Sequence, residues 1–265
     1  MRSWATTLGE LESALRGARD RGRKLLVPYV TGGLGDDWTE VVRSVAAAGA
    51  DAIEIGIPFS DPVMDGPTIQ EASERALAAG ATPQSILDGL RGLDAGVPLA
   101  VMTYYNIAFH MGHERFARSL FDVGVAGAIL PDLPLEESGP WCAVADAVGV
   151  ETVMLAAPTA PDERLPRICE RSRGFVYGVG LLGVTGERTA LADSALVMAK
   201  RLKAVTDKPV LVGVGVSTAA QAVAVCQEAD GVIVGSALIR RLLDGEGPEG
   251  AAAFIGELRE ELDRG

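Results

Sequence analysis

Residues 51–68 read Asp-Ala-Ile-Glu-Ile-Gly-Ile-Pro-Phe-Ser-Asp-Pro-Val-Met-Asp-Gly-Pro-Thr, a short apolar strand followed by a loop with two aspartates. The strand alternates: three isoleucines share one face, and Glu54 lies on the other face between Ala52 and Gly56. In a strand covered by helices the branched aliphatic side chains face those helices, so Glu54 is expected to point inward. A buried carboxylate is costly and is seldom kept without a partner or a task. Glu54 and Asp65, on the following loop, therefore mark a candidate catalytic site.

The rest of the chain repeats this unit of a strand followed by a helical stretch. Eight short apolar runs alternate with amphipathic stretches, which predicts a parallel sheet of class α/β. Eight such units in 265 residues predict a closed (β/α)8 TIM barrel that forms a single domain over residues 1–265. The predicted strands are Leu25–Thr31, Ala52–Pro58, Pro98–Tyr105, Gly127–Asp132, Glu151–Ala157, Gly174–Val179, Pro209–Val216 and Gly231–Gly235.

Helical periodicity is clearest between the predicted strands and at the start of the chain. A leading helix over Leu8–Arg21 is expected to cover the N-terminal end of the barrel. An open doubly wound sheet is the competing architecture, but the glycine-rich turn at residues 31–35 does not fit the dinucleotide-binding pattern. The other predicted helices include Asp37–Ala48, Glu114–Asp122, Glu136–Val148, Ala190–Val205 and Thr218–Glu228.

Composition narrows the class of protein. Hydrophobic residues make up 48% of the chain and charged residues 23%, which suits a large core. The net charge of −12 argues against a nucleic-acid surface, which needs clustered Lys and Arg. No signal-peptide pattern or membrane-spanning run is visible, and three widely spaced cysteines suit a reduced environment. The expected location is the cytoplasm.

The last two predicted strands carry a phosphate-binding signal. Gly213 and Gly215 share the inward face of strand seven, and Gly235 ends strand eight. Glycines along one face indicate a close approach to the backbone, although they also fit a crowded interior. Ser236 then begins a short helix, whose N–H groups would bind an anion at the mouth of the barrel. Loops after strands seven and eight with a short extra helix form the recurring phosphate site of this fold.

A glycine-rich loop follows strand six. Residues 178–187 contain four glycines and come directly after Tyr177. A loop of this length at the catalytic face is expected to act as a lid, with Gly183 and Gly186 as hinges. An ordinary surface loop is the simpler alternative.

Five stretches of the chain form a recognisable pattern. The longest stretch, residues 54–70, is Glu-Ile-Gly-Ile-Pro-Phe-Ser-Asp-Pro-Val-Met-Asp-Gly-Pro-Thr-Ile-Gln. The others are Met-Thr-Tyr-Tyr-Asn (102–106), Leu-Pro-Asp-Leu-Pro (130–134), Gly-Val-Thr-Gly (183–186) and Gly-Val-Gly-Val-Ser (213–217). In these stretches, and in their order and spacing, the chain resembles the tryptophan synthase α subunit family along essentially its full length.

The resemblance implies a reaction and a partner. The family cleaves indole-3-glycerol phosphate to indole and glyceraldehyde 3-phosphate by a retro-aldol reaction. Indole then passes to a β subunit, in an α2β2 assembly, whose pyridoxal phosphate joins it to serine. No cofactor is expected in this chain itself. Glu54 would be the acid/base that protonates C3 of the indole, and Asp65 would accept a hydrogen bond from the indole N–H.

The resemblance also implies the residues that bind the substrate. Tyr104, Tyr29 and Tyr177 would wall the indole pocket, although core packing is an alternative for Tyr29 and Tyr104. Thr185 on the lid would hydrogen-bond Asp65. Gly186, Gly215, Gly235 and Ser236 would bind the phosphate. Three features depart from the usual family pattern: the turn Gly32-Gly33-Leu34-Gly35, Gly180 where serine is frequent, and Val214 where phenylalanine often packs on the indole.

Other functions remain as alternatives. His110 and His113 form a His-x-x-His pair, but no residue at the usual spacing completes a metal site, so no metal is expected. A phosphoribosyl isomerase barrel would need acid/base residues on strands one and five, and neither Val27–Thr31 nor Thr152–Ala157 has a carboxylate. A stand-alone indole-3-glycerol phosphate lyase and a catalytically silent activator of a β subunit stay open.

Overall fold

The eight predicted strands are present and form a closed barrel. The computed structural model describes residues 8–180, 188–213 and 215–265, with the backbone alone for residues 188–194. Neighbouring strands are parallel, their order around the barrel follows the chain, and the eighth strand pairs with the first. The prediction of a TIM barrel is confirmed. The strands are β1 Leu25–Thr31, β2 Ile53–Gly56, β3 Leu99–Met102, β4 Gly127–Ile129, β5 Glu151–Ala156, β6 Val176–Val179, β7 Val210–Gly213 and β8 Gly231–Val234.

Helices surround the barrel and follow the strands, with pairs of helices after β2, β3 and β8. The predicted leading helix and the short helix after β8 are both found. The helices are α1 Glu10–Asp20, α2 Trp38–Ala47, α3 Pro67–Ala78, α4 Pro83–Leu90, α5 Tyr105–Met111, α6 His113–Asp122, α7 Gly139–Val148, α8 Leu165–Arg171, α9 Arg188–Lys203, α10 Ala219–Val225, α11 Ser236–Leu243 and α12 Gly247–Arg264.

Strand β2 has the two faces that its sequence predicts. Ile53, Ile55 and Ile57 are buried in the layer between the barrel and the helices. Glu54 points the other way and is 1% exposed. Because parallel strands covered by helices bury both faces, nearly every strand residue is buried, and Glu54 is a buried ionisable side chain that needs an explanation.

Several observed strands are shorter than the predicted ones at their C-terminal ends. Ile57 lies beyond β2 although it is 3% exposed and its N–H still donates to the Met102 carbonyl at 2.9 Å. Pro58 then has no N–H to continue the ladder. Buried apolar residues thus continue beyond the last paired residue of the strand, so the apolar run in the sequence is longer than the strand itself.

Helix α1 closes the N-terminal end of the barrel, as predicted. Leu11 and Leu15 are fully buried and pack with Leu25 and Phe175 in the lower half of the barrel interior. The Glu151 carboxylate, at the start of β5, accepts hydrogen bonds from the Leu11 N–H at 2.7 Å and the Glu12 N–H at 3.0 Å. A carboxylate at a helix N-terminus satisfies N–H groups that have no partner within the helix.

The state of the cysteines and the character of the helices match what the sequence led us to expect. Cys142, Cys169 and Cys226 are free thiols and all three are buried, so they act as small apolar side chains. Among the described residues, no helix combines the length and the apolar character needed to cross a membrane.

Gly9 gives a test of the contact between α1 and Glu151. A Cβ at Gly9 would lie 2.2 Å from the Glu151 Cδ, so Gly9→Ala is expected to displace the carboxylate and lower the free energy of unfolding by about 1–3 kcal/mol. Gly17→Ala, within the same helix, meets only Arg21 Nη1 at 3.5 Å and is expected to be neutral or stabilising. Urea denaturation of both variants measures the difference, and equal effects would contradict this account of the helix.

Candidate active site

A pocket opens at the C-terminal end of the barrel. It lies between the strand ends and the loops that follow them, which is where this architecture places its active sites. Most of its walls are apolar, and two carboxylic acids face into it, Glu54 from β2 and Asp65 from the loop before α3. The other lining residues are Tyr29, Met64, Gly66, Ile69, Met102, Pro131, Leu155, Tyr177, Val179, Gly180, Gly213, Gly215, Ile233, Gly235 and Ser236.

Glu54 is buried in the wall of the pocket. Its Cα pairs with Tyr29 of β1 on one side and Ala100 of β3 on the other. Its Oε2 atom is buried and has no hydrogen-bond partner among the described residues. Burial, and the nearby charge of Asp65, raise the pKa of Glu54 to about 8. The side chain therefore carries a proton at neutral pH and is able to donate it.

Asp65 has a different environment. It lies one residue before Gly66, the N-cap of α3, and is half-buried. Burial raises the pKa of Asp65, while a hydrogen bond from the Tyr104 hydroxyl acts in the opposite direction. This bond favours the ionised carboxylate, and Glu54 has no comparable donor among the described residues. Two acids with different environments in one pocket are suited to different roles.

Two tyrosines stand beside Glu54 on the pocket wall, and each is accommodated by a glycine on the next strand. A Cβ at Gly56 would lie 1.9 Å from the Tyr29 hydroxyl, and a Cβ at Gly213 would lie 2.6 Å from the Tyr177 hydroxyl. Burial raises the pKa of both phenols well above the ordinary value, so they remain neutral. Gly213 therefore makes room for a tyrosine of the pocket wall.

Tyr104 lies beneath the loop rather than in the pocket wall. Its ring stacks on Phe59 with centroids 5.1 Å apart. Its hydroxyl accepts a hydrogen bond from the Met64 N–H at 2.9 Å and faces the Asp65 carboxylate. The predicted strand Pro98–Tyr105 would place Met102 and Tyr104 on one face, but β3 ends at Met102 and the backbone turns into α5. Met102 alone of the two lines the pocket.

One end of the pocket is formed by the backbone of Gly215, Gly235 and Ser236. Gly215 has φ +66°, a conformation that favours glycine, and a Cβ there would have no described atom within 4 Å. Gly235 is the N-cap of α11 and Ser236 is its first residue. The first N–H groups of a helix have no partner within it, so this end of the pocket offers donors to an anion. Gly231, by contrast, faces the Leu25 backbone and has a packing role.

Some predicted residues lie outside the described part of the chain. Thr185 and Gly186 of the predicted lid, the hinge residue Gly183, and Val214 belong to this group. Their roles stay predictions from the sequence. Gly180, at the start of the same loop, is described: it is buried and lines the pocket.

His110 and His113 do not lie in the pocket. The His113 Nε2 atom is 3.0 Å from the Tyr105 hydroxyl, and its ring packs edge-on against Trp141. Within residues 8–180, 188–213 and 215–265, no three His, Cys, Asp or Glu side chains are grouped closely enough to hold a metal ion.

Comparison with known proteins gives the family. The family model described as "Tryptophan synthase alpha chain" matches residues 15–263. The chain belongs to the tryptophan synthase alpha chain family. The tryptophan synthase alpha chain of Thermobifida fusca (strain YX) is 43% identical over 261 residues, covering 96% of this chain and 97% of the relative. That of Streptomyces coelicolor is 44% identical over 255 residues, covering 93% and 92%. The family resemblance seen in the sequence is confirmed.

Solved structures of the tryptophan synthase family have the same fold. Mycobacterium tuberculosis tryptophan synthase in space group F222 is similar with a TM-score of 0.89 at 39% identity, covering 97% of this chain and 99% of that chain. The tryptophan synthase subunit alpha of Legionella pneumophila str. Paris has a TM-score of 0.89 at 30% identity, covering 97% and 100%.

One departure from the usual tryptophan synthase alpha chain pattern is explained by packing. The turn Gly32-Gly33-Leu34-Gly35 follows β1, and its Leu34 packs behind Tyr29 and Ile69, which line the pocket. A Cβ at Gly32 would lie 2.8 Å from Ile86 of α4, and Gly33 has φ +78° with Ala81 close by. The extra glycines allow the turn to pack on α4.

Several pocket residues were not singled out from the sequence as substrate-binding. Leu155 and Ile233 lie on inward faces of β5 and β8, and strand alternation would have found them. Met64, Ile69 and Pro131 come from loops and a helix whose path no periodicity describes. Only the folded chain brings these three to the pocket.

The raised pKa of Glu54 predicts how the stability of the fold depends on pH. Its pKa is about 8 in the fold against an ordinary 4.5, so between these values the folded chain keeps a proton that the unfolded chain releases. The burial of Glu54 therefore destabilises the fold increasingly as the pH rises from 4.5 to about 8. Glu54→Gln removes this loss, and we expect its melting temperature relative to the parent to be higher at about pH 8 than at about pH 5.

Differential scanning calorimetry at the two pH values measures this change. Glu114→Gln, at the exposed start of α6, provides the baseline for removing a surface carboxylate. If the melting temperatures of Glu54→Gln and the parent differ by the same amount at both pH values, Glu54 is ionised in the fold and the prediction is wrong.

Proposed function

We propose that the chain cleaves indole-3-glycerol phosphate to indole and glyceraldehyde 3-phosphate in the pocket between Glu54 and Asp65. This lyase reaction is the activity of the tryptophan synthase alpha chain family. The observation that carries the proposal is the pairing of the two acids: a buried carboxyl group with a pKa near 8 faces a half-buried one that is hydrogen-bonded by Tyr104.

The reaction moves one proton from oxygen to carbon while a carbon–carbon bond breaks. Glu54 donates its proton to C3 of the indole ring, which leaves positive charge on the ring nitrogen. Asp65 accepts a hydrogen bond from the ring N–H and stabilises that charge. The side-chain hydroxyl then loses its proton to Glu54, its carbon becomes the aldehyde, and the bond to C3 breaks to restore the aromatic ring. Glu54 ends protonated, so the cycle closes without a cofactor in this chain.

The pocket offers a suitable surface for each end of this substrate. Tyr29, Tyr177 and the apolar strand ends form a wall suited to a planar aromatic ring. Gly215, Gly235 and Ser236 present backbone donors at the start of α11, where the phosphate binds. Thr185 and Gly186 are proposed to complete the site from the lid.

We further propose that indole passes to a β subunit that carries pyridoxal phosphate, in an α2β2 assembly. The loop between β2 and α3 supports this, because it carries Asp65 and also exposes apolar side chains: Val63 is 77% exposed and Met64 is 41% exposed. Phe109 on α5 is 64% exposed. Val63 and Met64 are adjacent in the loop that carries Asp65, and an apolar patch there would suit contact with a partner. The three free, buried cysteines suit the proposed cytoplasmic location.

Substitution of either acid tests the assignment of roles. Glu54→Gln removes the acid/base group and Asp65→Asn removes the negative charge beside the ring nitrogen, while both keep the size of the side chain. Each is therefore expected to lower kcat roughly 10²–10⁴-fold. Circular dichroism should show an unchanged fold. The steady-state release of glyceraldehyde 3-phosphate measures the effect. Near-normal turnover in either variant would refute the proposed mechanism.

The dependence on a partner is tested by the same product assay on the parent chain, alone and with a matched β subunit. We expect slow turnover alone and a large increase with the β subunit, because contact with the exposed loop would order the segment that carries Asp65. Fast turnover that the β subunit does not change would identify a stand-alone lyase. Turnover in neither mixture would leave only a docking role.

A further inference from the structure

The backbone around Asp65 is held on both sides by side chains. On one side, the Tyr104 hydroxyl accepts the Met64 N–H at 2.9 Å. On the other, the side-chain amide of Gln70 donates from Nε2 to the Asp65 carbonyl oxygen at 2.7 Å. Gln70 lies in the first turns of α3 and reaches back over the start of its own helix.

The start of α3 explains why a side chain is needed there. The Gly66 carbonyl accepts both the Ile69 and the Gln70 N–H at 3.0 Å, so these backbone donors are already used. Pro67 is the first residue of the helix and has no N–H to offer. Among the described residues, the Gln70 amide is the donor that reaches the Asp65 carbonyl.

Among the described residues, fewer hydrogen bonds hold the part of the loop before Met64. Ser60 and Asp61 are exposed, and the Ser60 hydroxyl donates to its neighbour Asp61. Val63 is 77% exposed. The bonds from Tyr104 and Gln70 therefore hold the main chain at Met64 and Asp65, the part of the loop that carries the carboxylate.

We propose that Gln70 is a positioning residue for the cleavage step: its side-chain amide holds the Asp65 main chain so that the carboxylate faces the indole nitrogen. The inference rests on the proposed role of Asp65 in the reaction. Gln70 does not touch the substrate; it acts through Asp65. A carboxylate displaced by about 1 Å stabilises developing charge poorly, and such displacements lower rates up to about 10²-fold.

The first experiment compares two glutamine variants in the full chain with its β subunit. Gln70→Met keeps the length and helix propensity of the side chain and removes the donor. We expect kcat to fall roughly 5- to 20-fold while KM changes by less than about 2-fold, because substrate binding at the phosphate end is intact. Gln84→Met removes a comparable bond, from Gln84 Nε2 to Asp88 Oδ1 at 3.0 Å, on an exposed face of α4 and is expected to leave kcat unchanged.

The second experiment distinguishes positioning from a general structural effect. If Gln70 acts through Asp65, Gln70→Met should lower the rate in the parent and have no further effect in the Asp65→Asn background. An equal loss in both backgrounds would overturn the inference, and so would an unchanged kcat. Gln70→Glu, which places a carboxylate against the Asp65 carbonyl, should lower kcat at least as much as Gln70→Met. If Gln70→Met does not fold, a normal kcat for Gln70→Glu overturns the inference.

The outcome is separable from that of the proposed function. Near-normal turnover of Asp65→Asn would refute the role of Asp65 itself. Loss of turnover in Asp65→Asn, together with a normal kcat in Gln70→Met, would keep that role and reject Gln70 as its positioning residue.

Discussion

The burial of one carboxyl group, Glu54, is the constraint on which the site depends. The barrel interior excludes water, and among the described residues nothing donates a hydrogen bond to Glu54 Oε2. Removing a carboxylate from water costs far more than protonating it, so the group keeps its proton to a pKa of about 8. The same burial that destabilises the fold therefore creates an acid that works at neutral pH. The burial of Glu54 thus both lowers the stability of the fold and supplies the proton donor for the proposed reaction.

The two halves of the barrel interior serve different purposes. In the lower half, Leu11 and Leu15 of α1 fill the space between the strands, and Glu151 holds the helix by its N-terminus. In the upper half, Tyr29 and Tyr177 cross to the neighbouring strands, where Gly56 and Gly213 leave room for their hydroxyl groups. The closed lower half gives the catalytic end a rigid base, and the glycines set the shape of its wall.

The two ends of the pocket are carried by neighbouring helices. Helix α3 follows the loop with Asp65, and α11 begins at the backbone donors of Gly235 and Ser236. Ile69 and Ala72 of α3 are buried together with Ile239 of α11. At the surface, the Arg240 guanidinium is 2.9 Å from the Glu71 carboxylate, a bridge that contributes little by itself because it is exposed. The buried apolar contact is what keeps the two ends of the site at a constant distance.

Sequence patterns identified the features that depend on residues close together in the chain. Strand alternation placed Glu54 inside, eight apolar runs predicted the barrel, and the serine after β8 predicted the start of α11. These features depend on a repeat of two residues or on a residue at a helix end, so neighbouring residues determine them. The stretch 54–70 also carried the family resemblance, since the catalytic strand and its loop are continuous in the chain.

The tertiary structure decided what depends on residues far apart in the chain. Alternation gave Tyr104 a place beside Met102, but β3 ends between them, and Tyr104 instead supports Met64 and Asp65. Inward glycines of strand seven indicated either a close approach of phosphate or a crowded interior, and Gly213 fits the second, because it faces Tyr177. The sequence by itself determined which residue types line each strand. Only the closed barrel, by bringing distant strands and loops within a few ångströms, decided which of them meet and which pKa values they have.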